Sequence, residues 1–242
     1  VDVIVKDALL KDTKILYAWF KEEIVVEEEN KNHLFFCNDE FIYPVRRMLC
    51  GREANLYELA NQMRKQQKNA GYVNYICDNN GFSLADLFSY SEKHNIANGE
   101  NNKDGTDWNY SLNCGAEGRT RKGHILKLRK KLEKNALSVL YLSQGIPLLY
   151  SGDEFENSQE GNNNAYCQDN PVGWVNWRKK ESGRELLEFV KKLIAFRKKH
   201  PVLSAANPMQ MCDYKNVGLP DLSYHGKEAW LLGFSSASQA VG

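Results

Sequence analysis

The sequence predicts an α/β fold: a parallel sheet with crossover helices. Three observations predict it. Short apolar runs of strand character alternate with segments of helical periodicity. The run Val73-Asn74-Tyr75-Ile76-Cys77 passes directly into Asp78-Asn79-Asn80-Gly81. Side chains able to hydrogen-bond at the end of a strand, followed by Gly, are the format of a site at the C-terminal mouth of an α/β barrel. Two long polar stretches, 95–121 and 154–172, each follow a predicted strand and so belong on one face of the sheet. Loops of that length in a compact domain are usually functional or disordered.

In chain order, Thr13-Lys14-Ile15-Leu16-Tyr17 is the first predicted strand and His33-Leu34-Phe35-Phe36 a weaker second. Leu56, Leu59 and Met63 recur at helical spacing, and Asn69-Ala70-Gly71 closes that helix. Val73–Cys77 is the third strand. Ile125, Leu128, Leu132 and Val139 mark a longer helix with Lys127, Lys130, Lys131 and Lys134 mostly on its other sides. Ile146-Pro147-Leu148-Leu149-Tyr150 is the fourth strand, its Pro near the start, where a missing N–H is tolerated. Leu187, Val190 and Ile194 mark a last helix, with Ser182-Gly183-Arg184-Glu185 as a capping box and His200-Pro201 as its stop. Leu219–Gly226 and Ala229-Trp230-Leu231-Leu232 read as the opening of a β-rich module. No internal repeat is visible.

The 242 residues suffice for one sizeable domain with part of a second. A net charge of +1 offers no global field for nucleic acid or an anionic membrane. The basic series Arg119, Arg121, Lys122, Lys127, Arg129, Lys130 and Lys131 reads as the solvated face of the long helix, so no nucleic-acid partner is expected. No apolar run approaches the ~20 residues of a membrane helix, and no signal peptide opens the chain. The first residue is not Met, which suggests a fragment or a removed leader. Cys37, Cys50, Cys77, Cys114, Cys167 and Cys212 form no Cys-x-x-Cys pair and lack zinc-ligand spacing. They are expected to be reduced, buried thiols of a cytoplasmic protein. Neither a metal nor a cofactor is expected, since no phosphate-cradling Gly loop is present either.

Beyond Asn79-Asn80-Gly81-Phe82, the motifs that carry most information are Ser89-Tyr90-Ser91-Glu92-Lys93-His94-Asn95, Gly152-Asp153-Glu154-Phe155 and 161–169, Gly-Asn-Asn-Asn-Ala-Tyr-Cys-Gln-Asp. Together they resemble the debranching branch of the α-amylase superfamily: isoamylases, bacterial glycogen debranching enzymes and type I pullulanases. The resemblance implies the C-terminal half, about four β/α units, of a (β/α)8 TIM-type barrel. It implies barrel strands five to eight over residues 1–203 and the start of a C-terminal β-sandwich over 204–242. Such a half exposes a sheet edge and a core face, to be covered by a missing N-terminal half or by self-association. The implied ligand is an α-glucan: glycogen, starch, pullulan or a maltooligosaccharide.

The implied chemistry is retaining cleavage at α-1,6 branch points, which needs a nucleophilic carboxylate and an acid about 5–5.5 Å apart around an oxocarbenium-like transition state. The residues depart from that pattern. The nucleophile's strand would precede Val1. Thr13–Phe20 matches the family's general-acid run, with Ala18 at the acid position; Leu9-Leu10, Asn38–Phe41 and Val45-Arg46-Arg47 fix the register. The third carboxylate falls on Asn80 and the sugar-contacting His on Asn79. No catalytic acid is therefore intact, and the chain is expected to be inert as a hydrolase. A shifted strand would instead offer Glu22, Glu23 or Glu27 as the acid. Substrate-binding candidates are Asn79, Asn80, Asp153, Asn163, Asn164 and Tyr166. Asp153-Glu154 reads as a structural or substrate-framing pair at the barrel mouth, and Asn162–Asn164 as either a cleft wall or a turn cluster. His94 reads as a surface residue. Three readings compete: a glucan-binding remnant, a piece of an enzyme whose catalytic half lies elsewhere, and a structural module.

Overall fold

The computed structural model describes residues 4, 6–18, 34–66, 71–213 and 215–225. Strands β1 (Ile15–Tyr17), β2 (Leu34–Cys37), β3 (Gly71–Asn74) and β4 (Ile146–Pro147) pair in parallel in the order β1-β2-β3-β4. Parallel neighbours require crossovers. Helices α1 (Ile42–Leu49) and α2 (Leu56–Met63) cross from β2 to β3, and α4 (Gly123–Leu142) returns the chain from β3 to β4. Between β3 and α4 lies the single-turn α3 (Leu84–Leu87), capped by the Ser83 hydroxyl accepting from Asp86 N. After β4 come α5 (Lys179–Ser182) and α6 (Arg184–Lys199). This is the α/β class expected from the sequence.

Several boundaries differ from expectation. β3 begins and ends earlier than the predicted 73–77 run. Its last ladder bond runs from Leu148 N to Asn74 O at 2.8 Å. The Ile76 carbonyl then accepts from the Arg46 guanidinium, at 3.0 and 2.6 Å, instead of from a strand. Gly71 opens β3 instead of closing a helix, and its missing side chain leaves room for the Phe35 ring, 2.5 Å from where a Cβ would stand. β4 has two residues, not five. The capping box does not form. Ser182 Oγ donates to Lys179 O within α5, and Gly183 precedes α6 with no side-chain cap. Glu185 instead meets Lys130 at 3.1 Å and Lys134 at 2.6 Å on α4.

The core lies between the sheet and its helices. Phe41, Val45, Phe82, Leu84, Leu87, Phe88, Leu137, Leu140, Leu186 and Val190 are buried together. A second cluster joins Tyr17, Leu34, Phe36 and Tyr72, of which Tyr17, Phe36 and Tyr72 stand abreast in the strand register. On α4 the buried stripe is Ile125, Arg129, Glu133, Leu137 and Tyr141, with Ala136 and Leu140 beside it. Leu128, expected on that face, is exposed. Arg197 of α6 donates to Tyr141 O at 2.8 Å and to Ser143 O at 2.6 Å, satisfying carbonyls at the C-terminus of α4. Buried Gln144 accepts from Met209 N and donates to Val202 O and Asn207 O, tying the chain after α6 to the body. Among the described residues of 204–225 there is no strand; Ala229–Leu232, like Glu22, Glu23 and Glu27, lie outside the described residues.

The thiols depart from the expected burial. All six cysteines are free, but only Cys77 is fully buried, and Cys167 and Cys212 are exposed.

Candidate functional site

A cavity of about 550 Å³ opens at the C-terminal edge of the sheet. Each strand contributes residues at or just past its end: Ala18 after β1, Cys37 and Asp39 at β2, Tyr75 and Asp78 after β3, Leu148 after β4. In open α/β sheets this edge is where ligands bind, because loops leaving neighbouring strands converge there. The volume is that of a small-molecule site.

Of the sequence-predicted residues, the cavity brings together Ala18, Asn79, Asn80, Asn164 and Tyr166. Asn79 and Asn80 are exposed, held in a turn in which Asp78 Oδ1 accepts from Asn80 N at 2.9 Å. Two other candidates stand behind the wall. Asp153 is only 4% exposed, and its Oδ1 accepts from Leu84 N at 2.8 Å, so its carboxyl positions α3. Burial, with the neighbouring Glu154 and Asp86 carboxyls, pushes its pKa up to about 8. Asn163 is also buried; its side chain bonds Asn95, Thr106 O and Asn109.

That last network explains how the two polar loops build one wall. Asn95 Nδ2 donates to Asn163 Oδ1 at 2.8 Å while Asn95 Oδ1 accepts from Asn163 N at 3.0 Å. Asn98 and Asn162 exchange amide bonds of 3.3 and 2.7 Å. Asp104 accepts from Asn98 and Asn164 at 2.7 and 2.9 Å, which holds its carboxyl below its ordinary pKa. Gly105 sits at φ +69°, where a Cβ would lie 2.2 Å from Asn163 Oδ1. The Asn-rich segment is therefore both a turn cluster and a cavity wall. Its members cross-link the loops, and of these Asn164, together with Tyr166, also lines the opening.

Sequence reasoning missed four contributors: Asp39, Asp78, Tyr75 and Trp108. The two carboxyls lie two and four residues beyond their strands, a position that signals a site in a parallel sheet. Tyr75 donates to Asp39 Oδ1 at 2.5 Å. Burial first, then that bond and the charges of Asp39 and Asp78, raise the Tyr75 pKa far above the ordinary tyrosine value. Burial and the same two carboxyls also raise the Cys37 thiol, which therefore stays protonated and is a poor nucleophile. Trp108, 74% exposed, and Tyr166, 81% exposed, offer apolar ring faces beside amides and carboxyls. Arg46, the lining cation, spends its guanidinium on Ile76 O and on Asn109 O at 3.0 Å. The resulting surface carries amide and carboxyl groups that can pair hydroxyls and ring faces that can stack on flat apolar groups. Ala18 contributes a methyl group to the lining. Among the described residues no group of three or more His, Cys, Asp or Glu could hold a metal ion, and no helix is long and apolar enough to cross a membrane.

Comparison with known proteins places the chain in a lineage. No family model matches the sequence. A glycogen debranching enzyme of Enterobacter sp. (strain 638) is 34% identical over 229 residues, covering 84% of this chain and 34% of that protein. Isoamylase 1, chloroplastic, of Arabidopsis thaliana is 41% identical over 160 residues, covering 66% of this chain and 20% of that protein. Among solved structures, the pullulanase of Anoxybacillus sp. LM18-11 complexed with maltotriose superposes with a TM-score of 0.51 at 22% identity, over 74% of this chain and 23% of that one. Pullulanase type I from Bacillus subtilis str. 168 complexed with maltose gives 0.52 at 17% identity, over 74% of this chain and 24% of that one. These likenesses give a fold of the α-amylase type. The chain thus spans about a third or less of the length of these relatives, and within that span it belongs to the debranching branch of the α-amylase superfamily.

Proposed function

We propose that this chain is an α-glucan-binding segment of the debranching lineage that does not cleave glycosidic bonds by itself. One observation carries the reading. A single cavity at the C-terminal sheet edge gathers the rings of Trp108 and Tyr166, the amides of Asn79, Asn80 and Asn164, and the carboxyls of Asp39 and Asp78 around the Ala18 methyl. Amides and carboxyls pair with sugar hydroxyls, and exposed rings stack on pyranose faces. Ala18 cannot protonate a leaving oxygen, and Asn80 supplies no charge. Asp39 and Asp78 each already hold a structural hydrogen bond, to Tyr75 and to Asn80 N.

In this reading β1 to β4 are barrel strands five to eight, and residues 204–242 begin a β-sandwich. The exposed edge at β1, where Leu16 is 57% accessible, is covered by a preceding half or a second copy. The free thiols support a reducing, cytoplasmic setting.

A second reading, a piece of a working debranching glycosidase, is favoured by the chain's 34% share of the Enterobacter enzyme and by the two carboxyls inside the cavity. Release of reducing ends from pullulan by the purified chain decides between them. The first reading expects no release above a protein-free control, with maltotriose bound. Turnover that is lost in Asp39→Asn or Asp78→Asn establishes the second.

A further inference from the structure

A second cavity, of about 560 Å³, lies apart from the first, between the N-terminal half of α4, the turn at 118–120 and the segment 156–160. Its distinguishing feature is Glu133. This residue belongs to the buried stripe of α4, is 4% exposed, and its Oε2 has no hydrogen-bond partner among the described residues. Arg129, one turn earlier, does not pair with it. Its guanidinium donates to Gly118 O at 2.7 Å, Asn113 O at 3.0 Å and Ala116 O, while its Nε has no partner either. On the facing segment Glu156 Oε1 is buried without a hydrogen bond and forms an ion pair with Lys130 Nζ at 3.4 Å. Buried polar atoms are nearly always satisfied, so the orphaned Glu133 Oε2 and Arg129 Nε beside one cavity indicate groups that await a partner.

The charges narrow what that partner is. Burial, then the Glu156 charge, raises the Glu133 pKa well above its ordinary value, so it can donate an O–H. The lining charges are already partnered: Arg119 pairs with Glu160, Lys130 with Glu156 and Glu185, and Arg129 and Lys179 donate to the carbonyls of Gly118 and Glu156, which leaves little charge to hold an ion. A neutral hydroxyl suits the two remaining orphans, since it can accept from a protonated Glu133 or from Arg129 Nε. Tyr90 and Leu126 add apolar wall.

We propose that this cavity is a second, independent binding site for a neutral polyhydroxylated ligand of monosaccharide size, anchored by the Glu133 carboxyl. The test is a titration of the ¹⁵N-labelled chain with glucose, followed at the backbone amides of Gly118 and Glu160. Saturable shifts are expected. Glu133→Leu weakens them about tenfold, the loss of one buried hydrogen bond, and Glu133→Gln, which keeps a donor and an acceptor, weakens them less than Leu does. Trp108→Ala, in the first cavity, leaves them unchanged. The proposal is overturned if the wild-type chain shows no saturable shift there, if Glu133→Leu or Glu133→Gln titrates with the wild-type midpoint or Gln weakens the shifts as much as Leu, or if Trp108→Ala abolishes the shifts. Loss of maltotriose binding alone would remove the proposed function of the first cavity and leave this one standing.

Discussion

Trp108 and Tyr166 leave their rings in solvent, and the proposed function uses those rings as stacking faces for a sugar. Trp108→Ala is expected to weaken maltotriose about tenfold or more, roughly 1.4 kcal/mol or above, with the thermal midpoint unchanged, as read by calorimetric titration and melting. Asp153 behaves oppositely: it serves the fold. The folded chain holds its proton up to about pH 8, whereas unfolding releases it near the ordinary 3.8. Folding therefore takes up a proton between those values, so this group's contribution is fully present below about pH 4 and is lost as pH rises toward 8. Asp153→Asn keeps an acceptor for Leu84 N. It is expected to flatten the pH dependence of the melting temperature over that window and to raise it at pH 8 by about 2–6 °C. An unchanged slope would show that the carboxyl is not held protonated.

At the scale of elements, the two polar loops act as one body because asparagines pair across them. Asn163→Ala removes bonds to Asn95, Thr106 O and Asn109 and leaves buried partners unsatisfied. About 2–4 kcal/mol of unfolding free energy should be lost, measured by urea titration. Gly105→Ala should cost a similar amount, since the left-handed φ and the Asn163 oxygen both oppose a side chain. The sequence made the alternation of strands and helices legible, as well as the convergence of the loops on one face. It did not make the ends of the elements legible. β3 stops at Asn74 because a distant Arg46 claims the Ile76 carbonyl, and the Ser182 capping box fails because Glu185 is drawn to lysines 51 and 55 residues away. Tertiary partners decided both. The stripe of α4 misled for a related reason: apolar periodicity pointed to Leu128, whereas the buried positions include Arg129 and Glu133, whose polar tips face carbonyls and a cavity. Within the site, Asn79, Asn80, Asn164 and Tyr166 could be named from motifs. Asp39, Tyr75 and Asp78 emerged only once strand ends were known, and Trp108 only once the fold of the 95–121 loop was known.

For the molecule as a whole, the sheet edge at β1 and the alanine at position 18 belong to one question: whether this chain is self-sufficient for chemistry. Charge near an anomeric centre must come from fixed carboxyls on opposite sides of the bond, and restoring a subset does not restore the unit. The double variant Ala18→Glu, Asn80→Asp is accordingly expected to bind maltotriose and still release no reducing ends from pullulan. The most direct test of the central claim is a calorimetric titration of the intact chain with maltotriose, with the sugar recovered and sized afterwards. The account predicts saturable binding that Trp108→Ala weakens about tenfold, with the trisaccharide recovered whole. Absence of saturable binding, or binding indifferent to Trp108, would contradict it.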